Sequence, residues 1–275
     1  MERDRIVFIG GGNMARSLVG GLVGDGYPGE RIRVTDPDAQ QRERLTRTLG
    51  VDTGADNRAA VADADVIVLA VKPQAMEAVC TDLGPALAGR EPLVVSVAAG
   101  VRAEAIARWL GYDGPLVRCM PNTPALLQAG ITALYPNDRV SDDQRSRAES
   151  ILRAAGSVIW VEDEALMDTV TGISGSGPAY FFRFMEAMEA AAVTRGLERD
   201  KARLLVIETA LGAARMALES SDDPGTLRQN VTSKGGTTAA ALDVFEQGGL
   251  ADLVDRAVGA AAERAAELGD QLGGR

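Results

Sequence analysis

The sequence predicts an α/β fold in two parts, a mostly parallel open sheet in the N-terminal portion and an all-helical C-terminal portion. Three observations carry this reading. Short apolar runs alternate with helical patterns through the first part of the chain. Two of those runs, Val66–Val71 and Leu93–Val97, are continuous and rich in β-branched residues, as strands covered on both faces by helices must be. After Val158–Val161 the strand signals stop, and Ala-, Leu- and Glu-rich helical segments follow.

Taken in order, Arg5–Ile9 reads as a buried strand and Asn13–Val23 as a helix with apolar residues on one face. Ile32–Asp36 is a second strand and Gln40–Leu49 a charged helix. Val66–Val71, Leu93–Val97, Leu116–Met120 and Ile131–Tyr135 complete the strand candidates before Val158–Val161. The helices of the second part are Pro178–Arg195, Lys201–Glu219, Thr237–Gln247 and Leu250–Leu268, with start signals at Asp200 and at Asp223-Pro224. The change of pattern falls near Glu162–Glu164, which divides the chain into domains 1–162 and 163–275. A length of 275 residues agrees with two domains.

Composition narrows the chemistry. Hydrophobic residues make up 46% and charged residues 25%, a globular balance. With 29 basic against 39 acidic residues and no basic block, nucleic-acid binding is not expected. No apolar run is long enough to span a bilayer, and Met1-Glu2-Arg3-Asp4 leads directly into a strand, so the expected setting is cytoplasmic, without a membrane. Two cysteines, Cys80 and Cys119, make neither a disulfide framework nor a four-cysteine metal site. There is no histidine, which removes His-based triads and His metal ligands, so no metal site is expected. Proton chemistry falls to Tyr, Thr, Ser, a carboxylate, water or the substrate.

The strongest local motif is Gly10-Gly11-Gly12-Asn13-Met14-Ala15, of the form G-x-G-x-x-A, between a strand and a helix. In that context it reads as a Rossmann-type dinucleotide site, a plain glycine turn between strand and helix being the alternative. Gly10 permits the tight turn, Gly12 lets a pyrophosphate approach the backbone, and Ala15 allows close helix–strand packing. Asn13 and Met14 open the helix whose free N–H groups face the phosphates. Asp36 closes the second strand, where an acidic residue accepts from ribose hydroxyls and favours NADH. Arg42 and Arg44 on the next helix are the cations that would offset it for NADPH, and the residues leave the choice open, as they leave open a plain turn at Asp36-Pro37. Ala70-Val71-Lys72-Pro73, Asn57 and Ser96–Gly100 leave the carboxyl ends of strands, the crevice side of such a sheet. Lys72 and Asn57 read equally as cofactor contacts and as solvated surface residues. Met120–Ala125 is a rigid two-proline loop, and Gly172–Tyr180 is a run of small residues before a long helix. Val231–Thr238 frees the backbone at Gly235-Gly236 just before a helix. It reads either as an anion nest fitting a small carboxylate or as a hydroxyl-capped helix start.

Together these motifs resemble pyrroline-5-carboxylate reductases, over essentially the whole chain and in the same order. The residues that carry the resemblance are Phe8–Ala15, Ala70–Gln74, Met120–Ala125, Ser174–Tyr180 and Val231–Thr238. The resemblance implies a helical dimerisation domain after the Rossmann domain, and reduction of L-1-pyrroline-5-carboxylate to L-proline with NADPH or NADH. It implies dinucleotide contacts at Asn57, Ala70, Val71, Lys72, Pro73, Ala98 and Ala99. It places Glu164, Asn230, Ser233, Gly236, Thr237 and Thr238 in the substrate region, with Thr238 beside the imine nitrogen as the catalytic hydrogen-bond partner. It further implies at least a homodimer with interleaved helical domains, a decamer being the larger assembly to test. One departure is Lys234, where the family usually has proline. Hydroxyacid dehydrogenases share the two-domain plan and the glycines Gly172, Gly175 and Gly177, but Phe181 and Phe184 stand where their catalytic Lys and Asn would be. An alcohol oxidation here has no evident base.

Overall fold

The structure, a computed structural model, describes residues 4–273. By packing it divides into two units, one formed by the chain up to Ser176 together with residues 260–273, the other by Gly177–Gly259.

The first unit is an eight-stranded sheet. Its strands are β1 (Ile6–Ile9), β2 (Ile32–Thr35), β3 (Asp52–Gly54), β4 (Val66–Leu69), β5 (Leu93–Ser96), β6 (Leu116–Met120), β7 (Gly130–Pro136) and β8 (Gly156–Trp160), in the order β3-β2-β1-β4-β5-β6-β7-β8. All neighbours are parallel except the antiparallel β6–β7 pair. Its helices are α1 (Asn13–Gly24), α2 (Ala39–Leu49), α3 (Asn57–Val61), α4 (Met76–Leu87), α5 (Ala103–Leu110), α6 (Asp142–Arg153) and α7 (Leu166–Val170). Strand order reverses at β1, which lies between β2 and β4, and ligands bind at such switch points in open α/β sheets.

The alternation of side chains along each strand builds two core layers. Ile6, Phe8, Val66, Val68 and Val95 face Ala15, Leu18, Val19 and Leu22 of α1 and Ile151 and Leu152 of α6. Val7, Ile9, Ile67, Leu69 and Val94 face Met76, Cys80 and Leu83 of α4 and Ile106 and Leu110 of α5. Every residue of β1, β4 and β5 is buried, which explains why those runs show no polar alternation. The helices begin and end on local chemistry. Asp38 accepts from the Gln40 N–H to cap α2, Gly50 closes it in the left-handed region, and Ser141 with Gln144 forms a capping box on α6.

The second unit holds α8 (Gly177–Thr194), α9 (Arg199–Glu219), α10 (Pro224–Asn230), α11 (Thr237–Gln247) and the start of α12 (Leu250–Gly273). Glu189 of α8 pairs with Arg199 and Arg203 of α9, and the rings of Phe184 and Phe245 stand 6.1 Å apart. Within this unit the fully or nearly buried apolar side chains are Ala202 and Val206, while Phe181, Phe182, Leu204, Leu205, Leu218 and Val244 are exposed. No described helix is long and apolar enough to cross a membrane.

Packing divides the chain later than the change of sequence pattern does. Residues 163–176 belong to the sheet unit because Glu164 and Asp168 pair with Arg118 and Arg102, and because a π-helical turn over Thr171–Gly175 prolongs α7. The last helix runs to Gly273 rather than ending at Leu268, and its final turns return to the first unit. Leu272 joins the second core layer, Gly269 lies against the Gly100 carbonyl, and the Arg108 guanidinium donates to the Gly273 carbonyl.

Candidate active site

A cleft of about 450 Å³ opens at the carboxyl ends of β1 to β4. Ile9, Gly10 and Gly12 form one wall, Thr35, Asp36 and Pro37 a second, and Ala55, Asn57, Ala70, Val71, Lys72, Ala75 and Val79 the rest. That is a ligand-sized volume at the strand-order reversal.

The glycines have separate duties. Gly10 has φ +97°, and a Cβ there would stand 2.8 Å from the Ala70 carbonyl oxygen. Its N–H donates to the Thr35 carbonyl at 2.8 Å, so the turn is locked between β1, β2 and β4. Gly12 is exposed, and a Cβ there would meet nothing within 4 Å. It caps α1 without a side-chain hydrogen bond, so the first N–H groups of that helix face open space. Anionic groups are stabilised at such a terminus. Asn13 is exposed beside it, Met14 packs on the first core layer, and Ala15 is fully buried in that layer.

Asp36 is tied down more than its position implies. Its Oδ2 accepts the Gly11 N–H and its Oδ1 the Asp38 N–H, each at 2.8 Å. Gln41 adds a bond from its side chain to the Gly11 carbonyl. The acid at the end of β2 therefore holds the glycine loop in place while still lining the cleft.

Of the other expected cofactor residues, Asn57 opens α3 on the cleft wall, and Lys72 is exposed with no ion-pair partner among the described residues. Pro73 starts a 3-10 turn directly after Lys72. Ala98 is buried in the second core layer and Ala99 is exposed, both after β5, and neither lines this cleft. The Met120–Ala125 loop is held structurally. Asn122 donates to the Ser174 carbonyl at 3.1 Å and accepts from the Ile131 N–H at 3.0 Å. Burial pushes the Cys80 thiol up to about 12 and raises the Cys119 thiol as well, so neither supplies a thiolate.

Glu164 sits in a charge network of the first unit. Its Oε1 accepts the Ala103 N–H at 2.7 Å and the Arg118 guanidinium at 3.0 Å. Arg118 is 3% exposed and also approaches Asp168 at 3.8 Å, and Asp168 meets Arg102 at 3.5 Å. Glu164 Oε2 has no hydrogen bond among the described residues. Sequence patterning does not reveal how this network pairs. Its one signal is an arginine inside the otherwise apolar strand Leu116–Met120, since a buried charge requires a partner.

In the second unit, Ser233–Gly236 is a turn closed by the Gly236 N–H on the Ser233 carbonyl at 3.0 Å. Gly235 has φ +70°, the value that position requires in a type II turn. Lys234 occupies the preceding position, where proline is favoured but not required, so the turn tolerates the departure. Gly236 caps α11 with no side-chain hydrogen bond, leaving the first-turn N–H groups of Thr237 and Thr238 free. The hydroxyls of Ser233, Thr237 and Thr238 have no partner among the described residues. Asn230 ends α10, exposed, three residues before Ser233. The arrangement suits a small carboxylate.

Comparisons with known proteins bear on the family of the chain. A family model described as pyrroline-5-carboxylate reductase dimerisation matches residues 164–268, and one described as NADP oxidoreductase coenzyme F420-dependent matches residues 5–100. The pyrroline-5-carboxylate reductase of Pseudomonas aeruginosa is 52% identical over 273 residues, 99% of this chain and 100% of that protein. The solved structure of a pyrroline-5-carboxylate reductase from Coxiella burnetii is 48% identical, with a TM-score of 0.94 over 96% of this chain and 98% of that one. That of Plasmodium falciparum pyrroline carboxylate reductase with NADP bound is 28% identical, with a TM-score of 0.84 over 98% of this chain and 100% of that one.

Proposed function

The chain belongs to the pyrroline-5-carboxylate reductase family, and from that premise we propose how its residues divide the reduction of L-1-pyrroline-5-carboxylate to L-proline with NADPH or NADH. The observation that carries the division is the glycine loop. Gly10 is forced by the Ala70 carbonyl, while Gly12 is open on the side where a pyrophosphate would rest. The residues present therefore fit a dinucleotide.

In the first unit, Gly10, Gly12, Asn13, Met14 and Ala15 form the pyrophosphate loop. Asp36 and Asn57 meet the adenosine side, and Ala70, Val71, Lys72 and Pro73 border the cleft, with Ala98 and Ala99 beyond it. When bound, the reduced dinucleotide supplies the hydride. Glu164 keeps one oxygen clamped by Arg118 and α5 and leaves the other open for the substrate. In the second unit, Asn230, Ser233, Gly236 and Thr237 receive the substrate carboxylate on backbone N–H groups and hydroxyls. Thr238 hydrogen-bonds near the imine nitrogen. A cyclic imine takes up a proton readily and its iminium is already electrophilic, so a chain without histidine has the groups it needs. The protein's part is positioning.

We also read the chain as a cytoplasmic homodimer. Its helical unit buries Ala202 and Val206 but exposes phenylalanines and leucines along α8 and α9, a face that a second copy would cover. A decamer of such dimers is the larger assembly to test. The functional test is steady-state oxidation of NADPH and of NADH with and without pyrroline-5-carboxylate. Substrate-dependent oxidation is expected, and its absence with both cofactors would overturn the reading.

A further inference from the structure

Arg42, one of the two α2 cations that the sequence sets against Asp36, is fastened to the wall of the dinucleotide cleft. From the first turns of α2 its Nη1 donates to the Asp36 carbonyl at 2.7 Å and to the Pro37 carbonyl at 3.0 Å. Asp36 and Pro37 both line the cleft. Among the described residues Arg42 has no ion pair, and its Nη2 and Nε have no hydrogen bond. The guanidinium is thus half-buried and fixed through one nitrogen, with a full positive charge and its remaining donors uncommitted. Arginine's planar fork is suited to phosphate oxygens.

The neighbouring acid is the reason this matters. A carboxylate at the end of β2 opposes a 2′-phosphate on the adenosine ribose. Here both Asp36 oxygens already accept backbone N–H groups, at Gly11 and Asp38, which draws the charge toward the protein. The turn therefore presents a restrained anion and, on its own carbonyls, a cation without a counter-ion.

We propose that Arg42 is the specificity residue for the 2′-phosphate, the group that lets this chain use NADPH despite Asp36. The proposal rests on the dinucleotide reading of the cleft. Arg44 is exposed on the same helix and makes no bond to the turn, so the assignment falls on Arg42.

The test compares nucleotide binding with turnover. Isothermal titration of the intact protein with 2′,5′-ADP and with 5′-ADP separates the 2′-phosphate from the rest of the nucleotide. Arg42→Gln is expected to weaken 2′,5′-ADP about ten- to hundredfold, the effect of losing one charge-assisted contact, and to leave 5′-ADP within about twofold. The ratio of kcat/KM for NADPH to that for NADH is expected to fall by a similar factor. Arg42→Lys keeps the charge without the fork and is expected to lie between Arg42→Gln and the parent. It also serves if Arg42→Gln fails to fold. Arg47→Gln removes the same charge from the far end of α2 and is expected to change neither ratio. Equal weakening of both nucleotides would make Arg42 a clamp for the turn and overturn the proposal, as would no change in either. If the parent binds neither nucleotide, the cleft reading falls and the proposal falls with it.

Discussion

At the scale of single residues, two glycines two positions apart are required for different reasons, and substitution separates them. Gly10→Ala places a Cβ against the Ala70 carbonyl in a backbone region costly to side chains, so it is expected to destabilise the fold by about 1–3 kcal/mol. At Gly12 an added Cβ meets no protein atom within 4 Å, so in Gly12→Val the melting temperature should hold while affinity for NADPH and NADH falls at least about tenfold. Thermal melts and nucleotide titrations on both variants check this. A Gly12→Val protein that binds as tightly as the parent would remove the pyrophosphate from this loop. The same scale explains Lys234. A type II turn needs glycine at position 235 and accepts many residues before it, so the loss of proline stiffness leaves the turn intact.

At the scale of elements, two joins matter. The first is the junction of β6, α5 and α7, where Arg118 meets Glu164 and Asp168. Arg118→Met leaves the partly buried Glu164 without its cation and Asp168 with Arg102 alone. It is expected to cost about 3–5 kcal/mol, against a few tenths for breaking the exposed Arg183–Glu186 pair of α8. Denaturant unfolding of both variants measures the difference, and equal effects would mean that the network carries no structural load. The second is the start of α11. Gly236→Val puts a branched side chain 3.1 Å from the Ser233 carbonyl, on the surface where the carboxylate would lie. A sharp rise in the substrate KM with nearly unchanged nucleotide affinity is expected. Thr238→Ala should lower catalytic efficiency roughly 5- to 150-fold, the loss of one hydrogen bond worth about 1–3 kcal/mol in the transition state. Total inactivity of a folded Thr238→Ala would make the hydroxyl an obligatory acid, and full activity of Gly236→Val would place the carboxylate elsewhere.

At the scale of the whole molecule, the two units differ in how far they are complete. The sheet unit has two filled core layers, whereas the helical unit leaves large apolar side chains in water. Burying that surface is worth roughly 25 cal/mol per Å² before the costs of association, so a free monomer is disfavoured. Sedimentation equilibrium is expected to find a dimer or a multiple of dimers at assay concentration. Phe182→Asp together with Leu205→Asp should shift it toward monomer and lower activity. An active parent monomer would refute the assembly.

The sequence by itself determined the two-part plan, the glycine loop between β1 and α1, the acid at the end of β2 and the turn before α11. These rest on spacing within a strand, a turn or the first turn of a helix, and neighbours in the chain set them without help from the rest of the molecule. Tertiary structure alone decided where the Asp36 oxygens point, that Arg42 is fastened to the Asp36-Pro37 carbonyls, and that Arg118 joins Glu164 across 46 residues of sequence. By packing it also groups residues 163–176 and the end of α12 with the sheet unit. The physical reason is the same in each case. A hydrogen bond or ion pair is chosen by which groups lie close once strands and helices pack, and residues distant in the chain carry no periodic signal of each other.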